Sequence, residues 1–240
     1  MIRREKIDRV LVVTIDRPEK KNALTLAMRQ ELERLPEVVN ADEEIAVVVL
    51  TATEPVFSAG ADLKEISERQ GQMPLTSPGG GLRRLSKPTI AAVNGACVTG
   101  GLELALSCDF ILASDRARFA DTHAKLGVLP RWGMSALLPR RVGLAIAKEL
   151  TLSGRWVDAD EAARIRLCNR VVPHDQLRAV TLDLARQIAG NPEPAVRGSL
   201  DLLNRGAALA LDDALALENE VGESFQVDPA LFVRPSRRRS

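Results

Sequence analysis

The clearest feature of the chain is the alternation of short apolar runs with amphipathic stretches over its first 175 residues. Val10-Leu11-Val12-Val13-Thr14-Ile15 is apolar and β-branched and predicts a strand. A polar loop with one proline, Asp16-Arg17-Pro18-Glu19-Lys20-Lys21-Asn22, follows. Leu24, Met28, Leu32 and Leu35 then recur at helical spacing, and Pro36 bends or ends that helix. Residues 45–51 (IAVVVLT) form a nearly continuous apolar run, as expected of a strand covered on both faces. Glu54-Pro55 breaks it. Residues 89–93 (TIAAV) and 110–113 predict two further buried strands. Between them Asn94-Gly95 turns the chain, and Gly100-Gly101 opens a helix running through Ser107. Helical patterns start at Met134, with a stop near Arg141-Val142-Gly143, and continue to about Leu152. Another covers 158–165. Val171-Val172-Pro173 returns to extended chain, and Asp175 is placed to cap the next helix. Beyond residue 175 the pattern is almost entirely helical, with Leu217, Val221 and Phe225 four apart on one stripe. The polar Gly/Pro-rich stretch 67–81 is too long for a routine connection and reads as a mobile surface loop, either a lid or a tolerated insertion.

This order predicts an α/β core over residues 1–175 and a helical region over 176–240 that ends in a basic tail, Arg234 to Ser240. Composition narrows the function. The 240 residues are 45% hydrophobic and 27% charged, with a formal net charge of +1, so no bulk field favours nucleic acid or an anionic membrane. Aromatics make up 3% and tyrosine is absent, which weakens a base-stacking reading. No apolar run reaches the length of a membrane span, and the charged start lacks the apolar segment of a secretory signal. Three cysteines without C-x-x-C spacing predict a reduced, cytoplasmic protein with small buried thiols.

Two glycine-containing segments carry the candidate chemistry: Phe57-Ser58-Ala59-Gly60-Ala61-Asp62-Leu63-Lys64-Glu65, and the stretch from Ala92 to Asp109 containing Asn94-Gly95 and Gly100-Gly101-Leu102-Glu103. Small residues let another group approach the backbone closely. In the second segment the glycines sit at a helix start, where free N–H groups and the helix dipole can hold an oxygen that gains negative charge. Glu103 lies on the first turn, and a carboxylate beside such a site can shuttle a proton to and from carbon. Each feature alone also has a plain structural reading: a Gly-Gly pair serves helix packing, and a first-turn Glu complements the helix dipole. No G-x-S-x-G elbow, H-E-x-x-H, P-loop or G-x-G-x-x-G is present, so hydrolase, metal and nucleotide readings have no support.

The pair of segments resembles the enoyl-CoA hydratase/isomerase (crotonase) superfamily. F-S-A-G-A-D-L-K-E is very close to that family's first oxyanion-loop motif, and K-P-T-I-A-A-V-N-G-x4-G-G-x-E-L-A-L-x-C-D to its second. The likeness extends through Asp16-Arg17-Pro18, Lys21-Asn22-Ala23-Leu24, Phe119 to Pro130 and Leu152 to Arg155. It implies a spiral of ββα units with a helical C-terminal trimerisation region, hence a homotrimer or a dimer of trimers. It also implies an acyl-CoA thioester whose carbonyl is held by the amides of Ala61 and Gly100, with Glu103 moving the proton. No resident cofactor is implied beyond the coenzyme A carried by the substrate. CoA would lie along Asn22, Ala23 and Leu24 and along Ala59, Ala61, Asp62, Leu63 and Lys64, with Gly100 completing the site.

The departures are informative. Hydratases of the family use a second Glu where this chain has His123. Three roles fit that residue: a titratable partner for water or a substrate oxygen, a neutral pocket residue that shifts specificity, or a packed histidine. Isomerases need one carboxylate, so Δ3-Δ2-enoyl-CoA isomerisation by Glu103 alone is the alternative to hydration of a trans-2-enoyl-CoA. A third possibility is an acyl-CoA-binding protein with degraded catalysis. Hydration is placed first, because Asp121-Thr122-His123 looks like a segment of proteins labelled enoyl-CoA hydratases. Thr99 stands where a third glycine is frequent, Arg131 stands where glycine is common, and the tail lacks the usual ending.

Overall fold

The computed structural model describes residues 1–70, 72 and 74–229; the basic tail at 234–240 lies outside them. In chain order the strands and α-helices are β1 (Ile2–Ile7), β2 (Val10–Ile15), α1 (Leu26–Glu33), α2 (Leu35–Val39), β3 (Val47–Ala52), β4 (Val56–Ser58), α3 (Leu63–Glu68), α4 (Pro78–Arg83), β5 (Thr89–Val93), β6 (Ala96–Val98) and α5 (Gly100–Leu106). They continue with β7 (Phe110–Ser114), β8 (Arg118–Ala120), α6 (Met134–Val142), α7 (Leu144–Ser153), β9 (Val157–Asp158), α8 (Ala159–Arg164), β10 (Arg170–Val172), α9 (Leu177–Ala189), α10 (Glu193–Gly206) and α11 (Leu211–Ser224).

The strands form a six-stranded sheet ordered β1-β2-β3-β5-β7-β10 and a four-stranded sheet ordered β4-β6-β8-β9. Each successive pair, β3/β4, β5/β6 and β7/β8, gives its first strand to the large sheet and its second to the small one. The chain therefore winds as a spiral of two-strand steps, with α3 and α5 closing the first two. Within the large sheet β2 to β10 run parallel, and only β1 is antiparallel to its neighbour. The apolar run of β3 is buried on both faces, as its pattern requires. Val48 and Leu50 pack with Val13, Ile15, Ala91 and Val93. Val47 and Val49 pack with Val10, Val12, Ile90 and Ala92 beneath Leu177, Leu182 and Ala185 of α9. At about 1.5–3 kcal/mol for each fully buried Val, Leu or Ile, such a strand is stable only inside a three-layer arrangement.

Two compact units result, Met1–Arg197 and a second beginning at Gly198. The first extends past residue 175 because α9 covers the sheet.

Three expectations are corrected. The segment 67–81 is not loop throughout: Pro78 to Leu82 lie in α4 and are buried. The reason is steric. A Cβ on Gly81 would stand 2.3 Å from the Leu32 carbonyl oxygen, and one on Gly79 2.5 Å from Ser107 Oγ. The glycines are there for close helix packing, not for mobility. Asp175 does not cap α9; it falls within a short 3₁₀ turn, and the N-cap is Gln176. Of the C-terminal stripe only Leu217 is buried, while Phe225 is 38% exposed and lies past the helix end. Pro36 does end the first helix, opening α2. Among the described residues no helix is long and apolar enough to cross a membrane. The three cysteines are free and buried.

Candidate active site

Parallel pairing in the small sheet places the two glycine turns side by side. β4 and β6 align Val56 with Ala96 and Ser58 with Cys97, so the turn after β4 and the turn after β6 emerge together. Gly60 has φ +90°, and a Cβ there would lie 2.9 Å from the Gly100 amide nitrogen. A Cβ on Gly101 would lie 2.4 Å from the Ser58 carbonyl oxygen. The first turn is pinned from both sides: Leu24 N–H donates to the Gly60 carbonyl (2.8 Å), and Asp62 N–H donates to the Leu24 carbonyl (3.0 Å). That pattern uses the groups flanking Ala61 and passes over its own amide. Among the described residues neither the Ala61 nor the Gly100 amide donates to a turn or loop carbonyl. Two adjoining, unclaimed donors of this kind can hold an oxygen that develops charge.

Glu103 sits in α5, whose residues are all buried, and is itself 1% exposed. Its Oε1 accepts hydrogen bonds from the Trp132 amide (2.8 Å) and the Met134 amide (3.1 Å). That leaves Oε2, which lies 3.6 Å from His123 Nε2. Trp132 also closes the site sterically, since a Cβ on Gly100 would come within 2.4 Å of its Cζ3. Arg83 of α4 reaches the Trp132 carbonyl (3.1 Å) and Ser107 Oγ (2.8 Å).

His123 follows β8, which β6 aligns through Val98 and Ala120. The histidine segment is thereby set beside the second glycine turn. Thr99 reinforces this: its amide donates to the Ala120 carbonyl (2.9 Å) and its hydroxyl shares a short hydrogen bond with Thr122. Thr99 has φ +53° and ψ −113°, a conformation that costs a β-branched residue strain energy. His123 is 6% exposed, and its Nδ1 lies 2.6 Å from Asp121 Oδ1. Burial alone would depress its pKa. The hydrogen bond with Asp121 and the nearby Glu103 carboxylate, with the charges of both, outweigh burial and raise it to about 9. Asp121 moves the other way. Burial would raise it, but the hydrogen bonds from His123 to Oδ1 hold it below the usual carboxylate value, while Oδ2 is buried without a hydrogen-bond partner among the described residues.

The residues expected along CoA fall into two groups. Asn22 is fully buried and its side chain is spent inside the protein, donating to the carbonyls of Thr53 (2.6 Å) and Val56 (2.5 Å) and accepting from Arg17 N–H (2.8 Å). Leu24 is fully buried as well, so these two can meet a ligand only through backbone or not at all. Ala23 holds Arg17 Nη1 through its carbonyl (3.1 Å), and Asp62 caps α3 while pairing with Arg17 at 2.5 Å. The Ala59 amide donates to the Lys21 carbonyl (3.0 Å). Leu63 is 55% exposed, and the outward Lys64 lies 3.7 Å from Glu68. Arg131 is exposed. A separate cavity of about 360 Å³ lies against α9 on the other face of the large sheet, lined by Thr51, Asn94, His174 and Thr181 and by none of Ala61, Gly100, Glu103 and His123. Sequence reasoning missed Asp121, Trp132 and Met134. The i, i+2 spacing of Asp121 and His123 was a usable signal for the first; nothing local marked the other two.

Comparison with known proteins gives the family and the fold. The sequence model of the enoyl-CoA hydratase/isomerase family matches residues 5–229. A short-chain-enoyl-CoA hydratase of Clostridium acetobutylicum is 39% identical over 232 residues, covering 93% of this chain and 89% of that protein. The crystal structure of an enoyl-CoA hydratase from Mycobacterium tuberculosis is 42% identical with TM-score 0.78, covering 90% of this chain and 95% of that one. One from Bacillus anthracis is 32% identical with TM-score 0.86, covering 92% and 89%. The chain belongs to the enoyl-CoA hydratase/isomerase family and has its crotonase fold.

Proposed function

We propose that this family member is an enoyl-CoA hydratase that adds water reversibly across the double bond of a trans-2-enoyl-CoA. The observation that carries the reading is the 3.6 Å separation of Glu103 Oε2 from His123 Nε2. That gap is long for a direct hydrogen bond, yet one water can touch both atoms. A second polar group at that place favours hydration over isomerisation, for which Glu103 alone would serve. The names of the relatives point the same way.

In this reading the thioester carbonyl lies between the Ala61 and Gly100 amides, which stabilise the enolate oxygen. Glu103 is the base for the water, oriented by the amides of Trp132 and Met134. His123 is the second catalytic group. Asp62, Leu63 and Lys64, with Ala59 and the backbone of residues 22–24, form the CoA side. Coenzyme A arrives with the substrate, and the scheme calls for no resident cofactor. Buried, unpaired cysteines fit a reducing compartment such as the cytoplasm. The exposed Leu203 (72%), Leu211 (74%) and Leu215 (51%) support a role for the C-terminal helices in a trimer or a dimer of trimers.

The test is loss of the conjugated thioester absorbance when purified protein meets short-, medium- and long-chain trans-2-enoyl-CoA. Turnover of at least one is expected. Failure with all three, alongside gain of conjugation from a 3-enoyl-CoA, would replace hydratase by isomerase.

A further inference from the structure

We propose that Asp121 is a positioning residue that fixes His123 as an imidazolium with Nε2–H turned toward the reacting centre, so that the site works with a base and an acid of opposite charge. The inference deepens the hydratase reading and rests on it.

The geometry leaves little freedom. An ionised carboxylate can only accept, so the 2.6 Å contact between Asp121 Oδ1 and His123 Nδ1 requires the proton to be on Nδ1. The His123 amide donates to the same Oδ1 (3.2 Å), locking the two residues into one local turn. Nε2 is then the only ring nitrogen left, and it faces Glu103 Oε2 at 3.6 Å. A neutral ring protonated at Nδ1 would aim a lone pair at that carboxylate. Protonation of Nε2 turns this repulsion into attraction. The charged groups facing the ring are Asp121 on its own segment and Glu103 from α5. Arg83 of α4 acts on Glu103, and Asp121 Oδ2 is buried without a hydrogen-bond partner among the described residues. With one cation against two carboxylates, the imidazolium is the favoured state. A glutamate in place of His123 would bring three acidic groups together and would need a proton to be tolerated.

The division of labour follows. One O–H bond of water breaks and its proton goes to Glu103 Oε2, while the oxygen forms its bond to C3. The C2–C3 π pair moves toward the thioester, giving the enolate held at Ala61 and Gly100. The His123 Nε2–H bond then breaks and its proton passes to C2. Glu103 is left protonated and His123 neutral. Transfer of one proton from Oε2 to Nε2 across the short gap, through the next water, restores both. Asp121 touches no reacting atom; it holds the ring orientation and makes the charged form accessible at neutral pH.

The chain has two histidines, so ¹⁵N-histidine spectra contain only the His123 and His174 rings, and His174→Gln assigns them. In wild type, His123 should be protonated on both nitrogens at pH 7 and titrate well above pH 7. A His123 ring that is neutral at pH 7 overturns the proposal. In Asp121→Asn the side-chain oxygen still accepts from Nδ1–H but the charge is gone. The His123 midpoint should fall by more than one pH unit, kcat should fall on the order of 10²-fold with KM within about two-fold, and the basic limb of the kcat profile should move to lower pH. An unchanged profile, or equal loss at every pH, overturns it. If Asp121→Asn does not fold, the wild-type spectrum still decides. Absence of hydration by the wild type would defeat the hydratase reading, whereas the spectra test the placement of the proton by itself.

Discussion

Glu103 and His123 face each other but are held by different means. Glu103 sits in a helix buried along its whole length, with one oxygen fixed by two main-chain amides. His123 stands where β8 gives way to a surface turn; residues 124–129 are all exposed. Its orientation depends on one side chain, Asp121, and on the Thr99–Thr122 tie behind it. Main-chain anchoring survives most substitutions nearby, because any residue except proline supplies an amide N–H. Side-chain anchoring is lost with a single replacement. The proposed base is therefore expected to be robust and indispensable, the proposed acid tunable and fragile.

The sharpest way to break this comparison is Glu103→Gln. The amide oxygen can still accept from Trp132 and Met134, so the fold and acyl-CoA binding should persist. Proton transfer is lost, and kcat should fall by roughly 10²–10⁴ with KM within a few-fold. A near-normal rate in steady-state hydration assays would remove Glu103 from its assigned place. Next in size is Gly60→Ala. The left-handed backbone at φ +90° and the 2.9 Å approach to the Gly100 nitrogen mean that a methyl must separate the two donor turns. Loss of one donor's geometry should lower kcat by roughly 10²–10³. The melting temperature should fall as well. A stable, fully active variant would show that the two amides do not share one oxygen.

How much of this was legible beforehand depends on how local each signal is. The β-branched runs of β2, β3 and β5 and the Gly-Gly start of α5 announce themselves, because burial on both faces and helix initiation write continuous patterns. β4, β6 and β8 do not. Each has three residues, too few for a period to register, yet these strands align the two glycine turns and His123. β1 was hidden for the opposite reason. Its pattern Arg3-Arg4-Glu5-Lys6 is exposed, as suits an edge strand guarded by charge. The glycines of α4 were misread because a glycine run means mobility only where nothing packs on it. Glu103 was visible from its motif, but the amides that orient it come from residues about thirty positions away, and only folding brings them there.

His123 also supplies a stability test. Its folded pKa of about 9 lies above the ordinary 6.5, so the folded state binds the proton more tightly than the unfolded chain. The associated stabilisation is fully present below about pH 6.5 and is lost as pH rises through 9. Its size is on the order of 3 kcal/mol. Urea denaturation of wild type and His123→Gln from pH 6 to 10 isolates it from other titrating groups. The wild-type advantage should shrink steadily across that range. A constant difference would mean that the ring is not charged in the fold.

The smallest expected effect concerns Thr99, where strain and a useful contact coincide. Its backbone conformation costs on the order of 1–3 kcal/mol, while its hydroxyl bond to Thr122 returns about 1 kcal/mol. Thr99→Gly removes both and should be neutral to mildly stabilising in chemical denaturation. The histidine segment then loses its link to the second glycine turn, and kcat should fall only a few-fold. Thr99→Ser keeps the hydroxyl and sheds the β-branch, so it should match wild-type turnover at equal or slightly higher stability. If both variants lose the same activity, the defect lies in the turn backbone and not in the link to His123. If neither does, Asp121 alone suffices to hold the acid, and the contrast between the two anchoring modes narrows to a single hydrogen bond.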